Sequence, residues 1–255
     1  MIYEDPKKRF SVRVADYKKY RPDYPAGVIS FIREHCSPDN TWSVADIGSG
    51  TGISTKLLLD GLKCDVFAVE PNDSMMETAI ENLSANPLFH SINGSSENST
   101  LANESINLVT AFQSFHWFDR EKTRAEFLKI LIEPKWVLLV WNDRITDEPG
   151  FSEGYEKLLM SLPEYNTVNH KNITRDIINS FMGNTDILTK SLVNSQEFDW
   201  TGLKGRFSSS SYTPEPGTAG YFENIAILKK LFDKYNMDGK VQFKYNTEMF
   251  LGRMK

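Results

Sequence analysis

The most specific chemical signal in the chain is a set of three glycines at alternate positions. Gly48, Gly50 and Gly52 follow an apolar segment, residues 44–47, and precede a stretch with helical character. Because glycine has no Cβ, such a loop lets a ligand approach the backbone closely. Several classes of nucleotide-binding protein use a loop of this kind, so the neighbouring residues must distinguish between them.

The spacing excludes two common phosphate-binding loops. A dinucleotide fingerprint, GxGxxG, that starts at Gly48 needs a glycine where the chain has Ile53, and a Walker A loop needs Gly-Lys-Ser/Thr where residues 54–56 are Ser-Thr-Lys. Asp46 followed by GxGxG instead suits a ligand with an amino-acid moiety, because a carboxylate can receive an ammonium group directly or through water. S-adenosylmethionine has that moiety.

A second carboxylate is placed to bind a ribose. Glu70 ends the next apolar segment, residues 66–69, eighteen positions after Gly52. A carboxylate there can accept hydrogen bonds from both ribose hydroxyls. The carboxyl ends of neighbouring parallel strands meet at one edge of a sheet, so we expect the glycine loop and Glu70 to form one site.

Apolar segments that alternate with helical stretches predict an α/β fold. The predicted strands are residues 44–47, 66–69, 89–92, 108–112 and 136–141, and the predicted helices between them are 53–60, 74–83 and 120–131. This order is typical of a Rossmann-like, doubly wound sheet that is mostly parallel. Strict alternation over residues 241–251, with a shorter candidate at 192–200, predicts an antiparallel C-terminal edge and seven strands in all.

We expect one domain, residues 1–255, with four parts. Residues 1–39 are predicted to form N-terminal cap helices and residues 40–142 the cofactor-binding core. Residues 143–191, with helical candidates at 152–162 and 175–182, are predicted to form a helical lid insertion over one edge of the sheet. Residues 192–255 would supply the last strands and a polar, substrate-facing loop at 208–220.

Several short motifs occur in the order in which one enzyme family carries them. They are YKKYRPDYP at 17–25, the loop at 46–52, VEP at 69–71 with Met75 and Ala79, GSSE at 94–97 and FHWFD at 115–119. In this ordered set the chain resembles the class I S-adenosylmethionine-dependent methyltransferases, especially the small-molecule branch with the trans-aconitate-type enzymes. The resemblance implies S-adenosylmethionine as cofactor and methyl transfer to an oxygen or nitrogen of a small molecule, with a carboxylate as candidate acceptor.

Roles for individual residues follow from the motifs and from this resemblance. His116, just after the fourth strand, is the candidate general base or substrate-orienting group. Trp117, Arg206 and Tyr212 are expected to bind the substrate. The expected cofactor-binding residues are Tyr20, Arg21, Asp46, Gly48, Ser49, Gly50, Gly52, Glu70, Pro71, Met75, Ser95, Ser96, Glu97 and Gln113.

Composition limits the partners and the location. The formal charge of -5 argues against nucleic acid, which needs a concentrated basic surface. The N-terminus lacks the apolar region of a signal peptide, and the longest strongly apolar run, residues 136–141, is too short to cross a membrane. We therefore expect a cytoplasmic monomer or homodimer that acts on a small-molecule acceptor, without a membrane partner.

No metal site is expected, because the two cysteines, Cys36 and Cys64, form no CxxC pair and the histidines lack metal-ligand spacing.

The sequence leaves two other functions open. A nicotinamide-dependent oxidoreductase on the same type of sheet is one alternative, which Ile53 disfavours. The other is a module that binds the cofactor without catalysis.

Overall fold

A computed structural model describes residues 19–165, 173–210 and 212–255. Residues 1–18 of the expected N-terminal cap and residues 166–172 of the expected lid therefore lie outside the described residues. Within the described part of the chain, no helix is long and apolar enough to cross a membrane. The same residues hold no group of three or more His, Cys, Asp or Glu side chains arranged for a metal ion.

One seven-stranded sheet forms the centre of the fold. The strands are β1 (Ser43–Ile47), β2 (Asp65–Val69), β3 (Phe89–Ile92), β4 (Ile106–Phe112), β5 (Leu131–Arg144), β6 (Leu188–Phe198) and β7 (Val241–Arg253). They lie in the order β3-β2-β1-β4-β5-β7-β6. Strands β1 to β5 pair in parallel, whereas β7 pairs antiparallel with both β5 and β6. The predicted α/β sheet with an antiparallel C-terminal edge is confirmed.

Eight α-helices that lie entirely within the described residues surround the sheet. They are α1 (Gly27–Cys36), α2 (Ile53–Leu62), α3 (Asp73–Leu83), α4 (Arg120–Ile130), α5 (Phe151–Met160), α6 (Arg175–Phe181), α7 (Trp200–Ser208) and α8 (Ala219–Tyr235). Asn72 caps α3 by accepting a hydrogen bond from the backbone N–H of Met75, and Asp119 caps α4 in the same way through Lys122. In both caps a side-chain oxygen satisfies a free N–H group in the first turn of the helix.

Three apolar clusters show which surface each helix covers. The first packs α1 and α2 on one face of the sheet. The second packs α4 and α6 on the opposite face. The third joins α5, α7 and α8 to the start of β7. The segment expected to form one lid thus divides between two layers: α5 lies in the third cluster and α6 in the second.

The predicted boundaries are wrong at the antiparallel edge. β5 extends from Leu131 to Arg144 rather than over 136–141, and β6 covers Leu188–Phe198 rather than 192–200. Asp199 follows β6 and caps α7, with its carboxylate accepting from the N–H of Gly202 at 2.7 Å. Polar side chains occupy much of β6 because it is an edge strand with largely exposed residues, so apolar alternation underestimates its length.

The serine-rich stretch also differs from the expected polar loop. Ser208 is the last residue of α7, and Ser209 and Ser210 follow it in a turn that is completely buried. The hydroxyls are satisfied locally: that of Ser209 donates to the carbonyl of Arg206, and that of Ser210 accepts from the Arg206 guanidinium. The sequence alone gives no sign of this burial, because serine-rich stretches are more often exposed.

Candidate functional site

The glycine loop lies between β1 and α2, and its three glycines have different surroundings. Gly48, Gly50 and Gly52 have φ angles of +70°, +57° and +84°, in the left-handed region that favours glycine. A Cβ on Gly48 would lie 2.6 Å from the Cβ of Ser114, and one on Gly52 would lie 2.7 Å from a side-chain carbon of α3. A Cβ on Gly50 would meet, among the described residues, only the sulfur of Met75, at 3.8 Å. The outer glycines therefore permit packing, whereas Gly50 leaves space for a ligand.

Asp46 connects the elements on both sides of this loop through buried hydrogen bonds. Its carboxylate is completely buried and accepts hydrogen bonds from the hydroxyls of Ser54 and Thr55, each at 2.7 Å, and of Thr110 at 3.1 Å. Burial raises the pKa of Asp46, and the three hydrogen bonds oppose that shift. The carboxylate thus ties the start of α2 to β1 and β4. Its predicted contact with a ligand ammonium group stays a prediction.

Glu70 joins the end of β2 to the glycine loop. One carboxylate oxygen accepts from the backbone N–H of Gly50 and the other from that of Asn72, both at 2.9 Å. The sequence-predicted neighbours thus meet at the carboxyl edge of the sheet. A carboxylate oxygen can accept more than one hydrogen bond, so a carboxylate in this position suits a ligand hydroxyl. Pro71 follows Glu70 at the same edge.

Two hydroxyls of the loop add donors that a ligand could use. The side-chain oxygens of Ser49 and Thr51 are buried and have no hydrogen-bond partner among the described residues. Buried polar atoms are nearly always hydrogen-bonded in folded proteins. Together with the space above Gly50 and the carboxylate of Glu70, these hydroxyls fit a polar ligand such as a nucleoside that carries an amino acid.

The loop after β3 carries the residues expected near the base of such a ligand. The Ser96 hydroxyl accepts from that of Thr123 in α4 at 3.0 Å, and Glu97 accepts from the backbone N–H of Asp119 at 3.1 Å. Burial acts to raise the pKa of Glu97, but hydrogen bonds from Ser95 and from the backbone of Asp119 outweigh it and lower the pKa. The loop is therefore fixed against the N-terminal end of α4.

The chain turns sharply where β4 ends. Gln113 has a φ of +53°, which is uncommon for a residue with a Cβ, and its side-chain amide donates to the carbonyl of Asn142 at 2.9 Å. The Ser114 hydroxyl donates to the carbonyl of Ile47 at 2.8 Å. A single 3₁₀ turn, Phe115–Trp117, follows and holds the rings of His116 and Trp117 with their centroids 4.9 Å apart. The turn brings both residues to the edge that carries the glycine loop.

Tyr20 and Arg21 lie on the side of the third cluster. A Cβ on Gly205 in α7 would lie 2.1 Å from the Tyr20 ring, so the ring packs directly on that glycine. The Arg21 guanidinium donates to the carbonyl of Ser209 at 3.3 Å. Both residues therefore contact the segment around Arg206, and their predicted role in cofactor binding stays a prediction.

Arg206 and Tyr212 belong to a polar group that the sequence only partly reveals. Arg206 is 7% exposed and donates to the hydroxyl of Ser210 at 3.2 Å. The ring of Tyr212 lies 4.9 Å from that of Tyr165, and the hydroxyl of Tyr165 is 3.4 Å from the guanidinium of Arg144. Arg144 ends β5, two residues after the Asn142 that Gln113 contacts.

Several residues of the site could not be recognised from their spacing. Ser54, Thr55 and Thr110 hold Asp46, but hydroxyl residues in a helix or strand carry no specific signal. Arg144 could have been found as the charged residue that ends a long apolar strand. Thr51, whose buried hydroxyl has no partner among the described residues, had the clearest signal in the sequence, because it lies between two glycines of the loop.

Comparisons with known proteins agree with this geometry. Residues 45–138 match the family model of a methyltransferase domain. An uncharacterised methyltransferase-like protein of Schizosaccharomyces pombe is 31% identical over 152 residues, which are 60% of this chain and 58% of that protein. The chain spans a little over half the length of the curated relatives it matches.

Solved structures share the fold. A protein of Anaeromyxobacter dehalogenans, provisionally named a type II methyltransferase, superposes with a TM-score of 0.66 at 16% identity, covering 92% of this chain and 98% of that one. A geranyl diphosphate methyltransferase in complex with S-adenosylmethionine gives a TM-score of 0.51 at 12% identity and covers 99% of this chain and 93% of that one. With this sheet order, a candidate ligand loop after its first strand and a match to a methyltransferase domain over residues 45–138, the chain is similar to the class I S-adenosylmethionine-dependent methyltransferases.

Proposed function

We propose that this protein transfers a methyl group from S-adenosylmethionine to an oxygen or nitrogen atom of a small-molecule acceptor. The observation that carries the proposal is the hydrogen bond from the N–H of Gly50 to the carboxylate of Glu70. It joins the loop that leaves space for an amino-acid moiety to a carboxylate that suits a ribose. The match of residues 45–138 to a methyltransferase domain supports the same ligand. So do the hydroxyls of Ser49 and Thr51, which have no hydrogen-bond partner within the described residues.

The bound cofactor supplies a methyl group on a positively charged sulfur atom. In the proposed site, Glu70 would accept hydrogen bonds from the ribose hydroxyls, and the loop from Gly48 to Gly52 would contact the amino-acid moiety. Ser95, Ser96 and Glu97 would contact the base, and Gln113 and Met75 would contact the cofactor between its base and its amino-acid moiety. Asp46, Pro71, Tyr20 and Arg21 complete the proposed cofactor-binding set.

Positioning of the acceptor is the main chemical task that remains for the protein. Methyl transfer breaks a carbon–sulfur bond and forms a carbon–oxygen or carbon–nitrogen bond in line with it, so the acceptor atom must be held close and collinear. We propose that His116 orients the acceptor or removes its proton, and that Trp117, Arg206 and Tyr212 contact it. A carboxylate acceptor, as in the trans-aconitate-type branch, is the favoured candidate.

The proposal includes the partners and location expected from composition. These are a small-molecule acceptor, no nucleic acid and no membrane, a cytoplasmic location, and a monomer or homodimer. The net charge of -5 supports the exclusion of nucleic acid.

A transfer assay tests the proposal against both alternatives. The full chain is incubated with S-adenosylmethionine labelled in the methyl group and a panel of small carboxylic acids, phenols and amines, and labelled product and S-adenosylhomocysteine are measured. We expect label in at least one acceptor, and a loss of about tenfold or more in His116→Ala if this side chain acts on the acceptor. Tight cofactor binding without any labelled product would favour a binding module, and stabilisation by NADH instead of S-adenosylhomocysteine would favour an oxidoreductase.

A further inference from the structure

Two hydrogen bonds join the segments that follow β2 and β3, directly beside the proposed ribose carboxylate. The backbone N–H of Glu70 donates to the carbonyl of Ile92 at 3.1 Å. The side-chain amide of Asn93 donates to the carboxylate of Asp73, the first residue of α3, at 3.0 Å. Asn93 also begins the loop that carries the residues proposed to contact the base. Its side chain therefore ties the base side of the proposed site to the ribose side.

Asn93 is followed by Gly94, and this is the one Asn-Gly pair in the chain. The Cγ atom of an asparagine lies within reach of the backbone nitrogen of the next residue, and their bonding closes a five-membered ring. A Cβ on that next residue hinders the approach, and glycine has none. The fold requires this glycine, because a Cβ on Gly94 would lie 2.8 Å from the carbonyl oxygen of Ser99. The structure therefore retains a chemically labile pair.

Local hydrogen bonding distinguishes Asn93 from Asn98, another exposed asparagine of the same loop. The backbone N–H of Ser99, which follows Asn98, donates to the carboxylate of Glu126 at 3.0 Å. The backbone N–H of Gly94 donates to no group among the described residues. A nitrogen held in a hydrogen bond must lose that bond before it can attack a neighbouring carbon. The nitrogen after Asn93 is the one that is free to react.

We propose that Asn93 is a site of spontaneous deamidation, and that this modification weakens binding of the cofactor. The nitrogen of Gly94 loses its proton to water and attacks Cγ of Asn93, so a carbon–nitrogen bond forms. The bond from Cγ to the side-chain nitrogen breaks, and that nitrogen leaves as ammonia with the proton that Gly94 has lost. Water then opens the five-membered succinimide. Addition at the side-chain carbonyl gives aspartate, and addition at the backbone carbonyl gives isoaspartate.

Both products remove the hydrogen bond between the two segments. In the aspartate form, a carboxylate replaces the amide that donates to Asp73, so two negative groups face each other. In the isoaspartate form, the main chain gains one carbon atom between Ile92 and Gly94, next to the hydrogen bond from Glu70 to Ile92. The effect on the cofactor rests on the proposed function, because it acts through the residues assigned there to the ribose and the base.

Peptide mass mapping of the full chain tests the modification. The protein is incubated at mildly alkaline pH, where the backbone nitrogen loses its proton more readily, and is sampled over time. Replacement of the side-chain NH2 by OH changes the peptide mass, and chromatography separates the aspartate and isoaspartate forms. We expect deamidation at Asn93 to be about tenfold or more faster than at Asn98. An intact Asn93 after Asn98 has reacted would overturn the assignment.

Calorimetry with S-adenosylhomocysteine tests the effect on the cofactor. Deamidated protein carries one more negative charge than intact protein, so ion exchange separates the two forms. We expect the deamidated form to bind about fivefold or more weakly. The variant Asn93→Asp reproduces one product without lengthening the main chain, and it should weaken binding by about threefold, as for two like charges at the surface. Equal affinity of the deamidated and intact forms would contradict the proposed effect.

Two further variants separate this site from general ageing of the protein. Asn93→Gln keeps a side-chain amide but needs a six-membered ring, which closes more slowly, so its affinity should not fall on incubation. Asn103→Asp makes the same change of charge at another exposed asparagine and should bind like the wild type. A loss of affinity in incubated Asn93→Gln as fast as in the wild type would contradict the inference. So would an effect of Asn103→Asp as large as that of Asn93→Asp.

The two assays distinguish this inference from the proposed function. Absence of S-adenosylhomocysteine binding by the fresh, folded wild type would contradict the proposed function and the effect on the cofactor, but mass mapping would still decide whether Asn93 is modified. Binding by the fresh protein, together with an Asn93 that stays intact or a deamidated form of full affinity, would contradict the inference alone.

Discussion

At the scale of single residues, the three loop glycines allow a direct separation of folding from ligand binding. An alanine at Gly50 must adopt a φ of +57°, which costs about 1–2 kcal/mol, but it meets no atom of the described chain closer than 3.8 Å. We expect Gly50→Ala to lose about that much stability in urea unfolding. Its Cβ would enter the space above the loop, so calorimetry should show S-adenosylhomocysteine affinity reduced by about tenfold or more.

Gly48→Ala serves as the comparison, because its strain is of the same kind but its surroundings are not. The added Cβ would lie 2.6 Å from the Cβ of Ser114, which is closer than real Cβ atoms approach. We expect a larger loss of stability than in Gly50→Ala. Equal stability of the two variants, or full cofactor affinity in Gly50→Ala, would show that the loop does not have the conformation described.

At the scale of elements, Asn72, which caps α3, also donates a hydrogen bond to the carboxylate of Glu70. Asn72 accepts from the N–H of Met75 through its side chain and donates its own N–H to Glu70. Asn72→Ala keeps the second bond and removes the first, so we expect a loss of about 1 kcal/mol of unfolding free energy. Glu81→Ala, an exposed change in the same helix, is the control. A variant as stable as the wild type would contradict this role of the cap.

The elements differ in how far their sequences predict them. The core strands are visible as apolar runs. The helices capped by Asn72 and Asp119 combine apolar residues with a capping residue, so the sequence shows both the helix and its start. β6 is an edge strand whose residues are mostly polar, and the three residues after its first, Leu188, are all polar, so no apolar alternation marks its start. The helices of the expected lid have visible apolar faces, but which layer each face joins depends on contacts with distant segments.

At the scale of the whole molecule, buried acidic groups make stability depend on pH. Burial acts to raise the pKa of Glu126, but hydrogen bonds from Lys129 and Ser99 outweigh it and lower the pKa below the ordinary value of 4.5. A carboxyl group with a lower pKa in the folded state contributes stability above that ordinary value and loses it as the pH falls through the folded pKa. Denaturant unfolding of Glu126→Gln should therefore show lower stability at neutral pH and a smaller loss between about pH 6 and 3.

The exposed Glu121 in the same helix provides the matched comparison for this pH effect. Glu121→Gln should keep the pH dependence of the wild type, since its side chain lies at the surface. Parallel pH profiles for Glu126→Gln and the wild type would contradict the contribution assigned to Glu126. The result bears on the site, because Glu126 holds Ser99 through two hydrogen bonds and so fixes the loop after β3.

The two halves of the site differ in how much of them a sequence can reveal. The cofactor half consists of a contiguous loop and one carboxylate at the end of the next strand, so spacing along the chain predicts their meeting. On the side of the proposed acceptor, Arg144, Tyr155 and Arg206 come from a strand and two helices. Their proximity depends on packing in the third cluster, which no local pattern encodes. For this reason Arg206 is the one residue of these three that the sequence predicts to bind the substrate.

The most direct measurement of the central claim is calorimetry with S-adenosylhomocysteine on the full chain and on two matched variants. We expect the wild type to bind with a Kd on the order of micromolar. Glu70→Gln should weaken binding by about tenfold or more, because it removes the negative charge of the group proposed to accept hydrogen bonds from the ribose hydroxyls. The exposed control variant Glu81→Gln should bind like the wild type. Absence of binding by the folded wild type, or undiminished binding by Glu70→Gln, would contradict the cofactor site described.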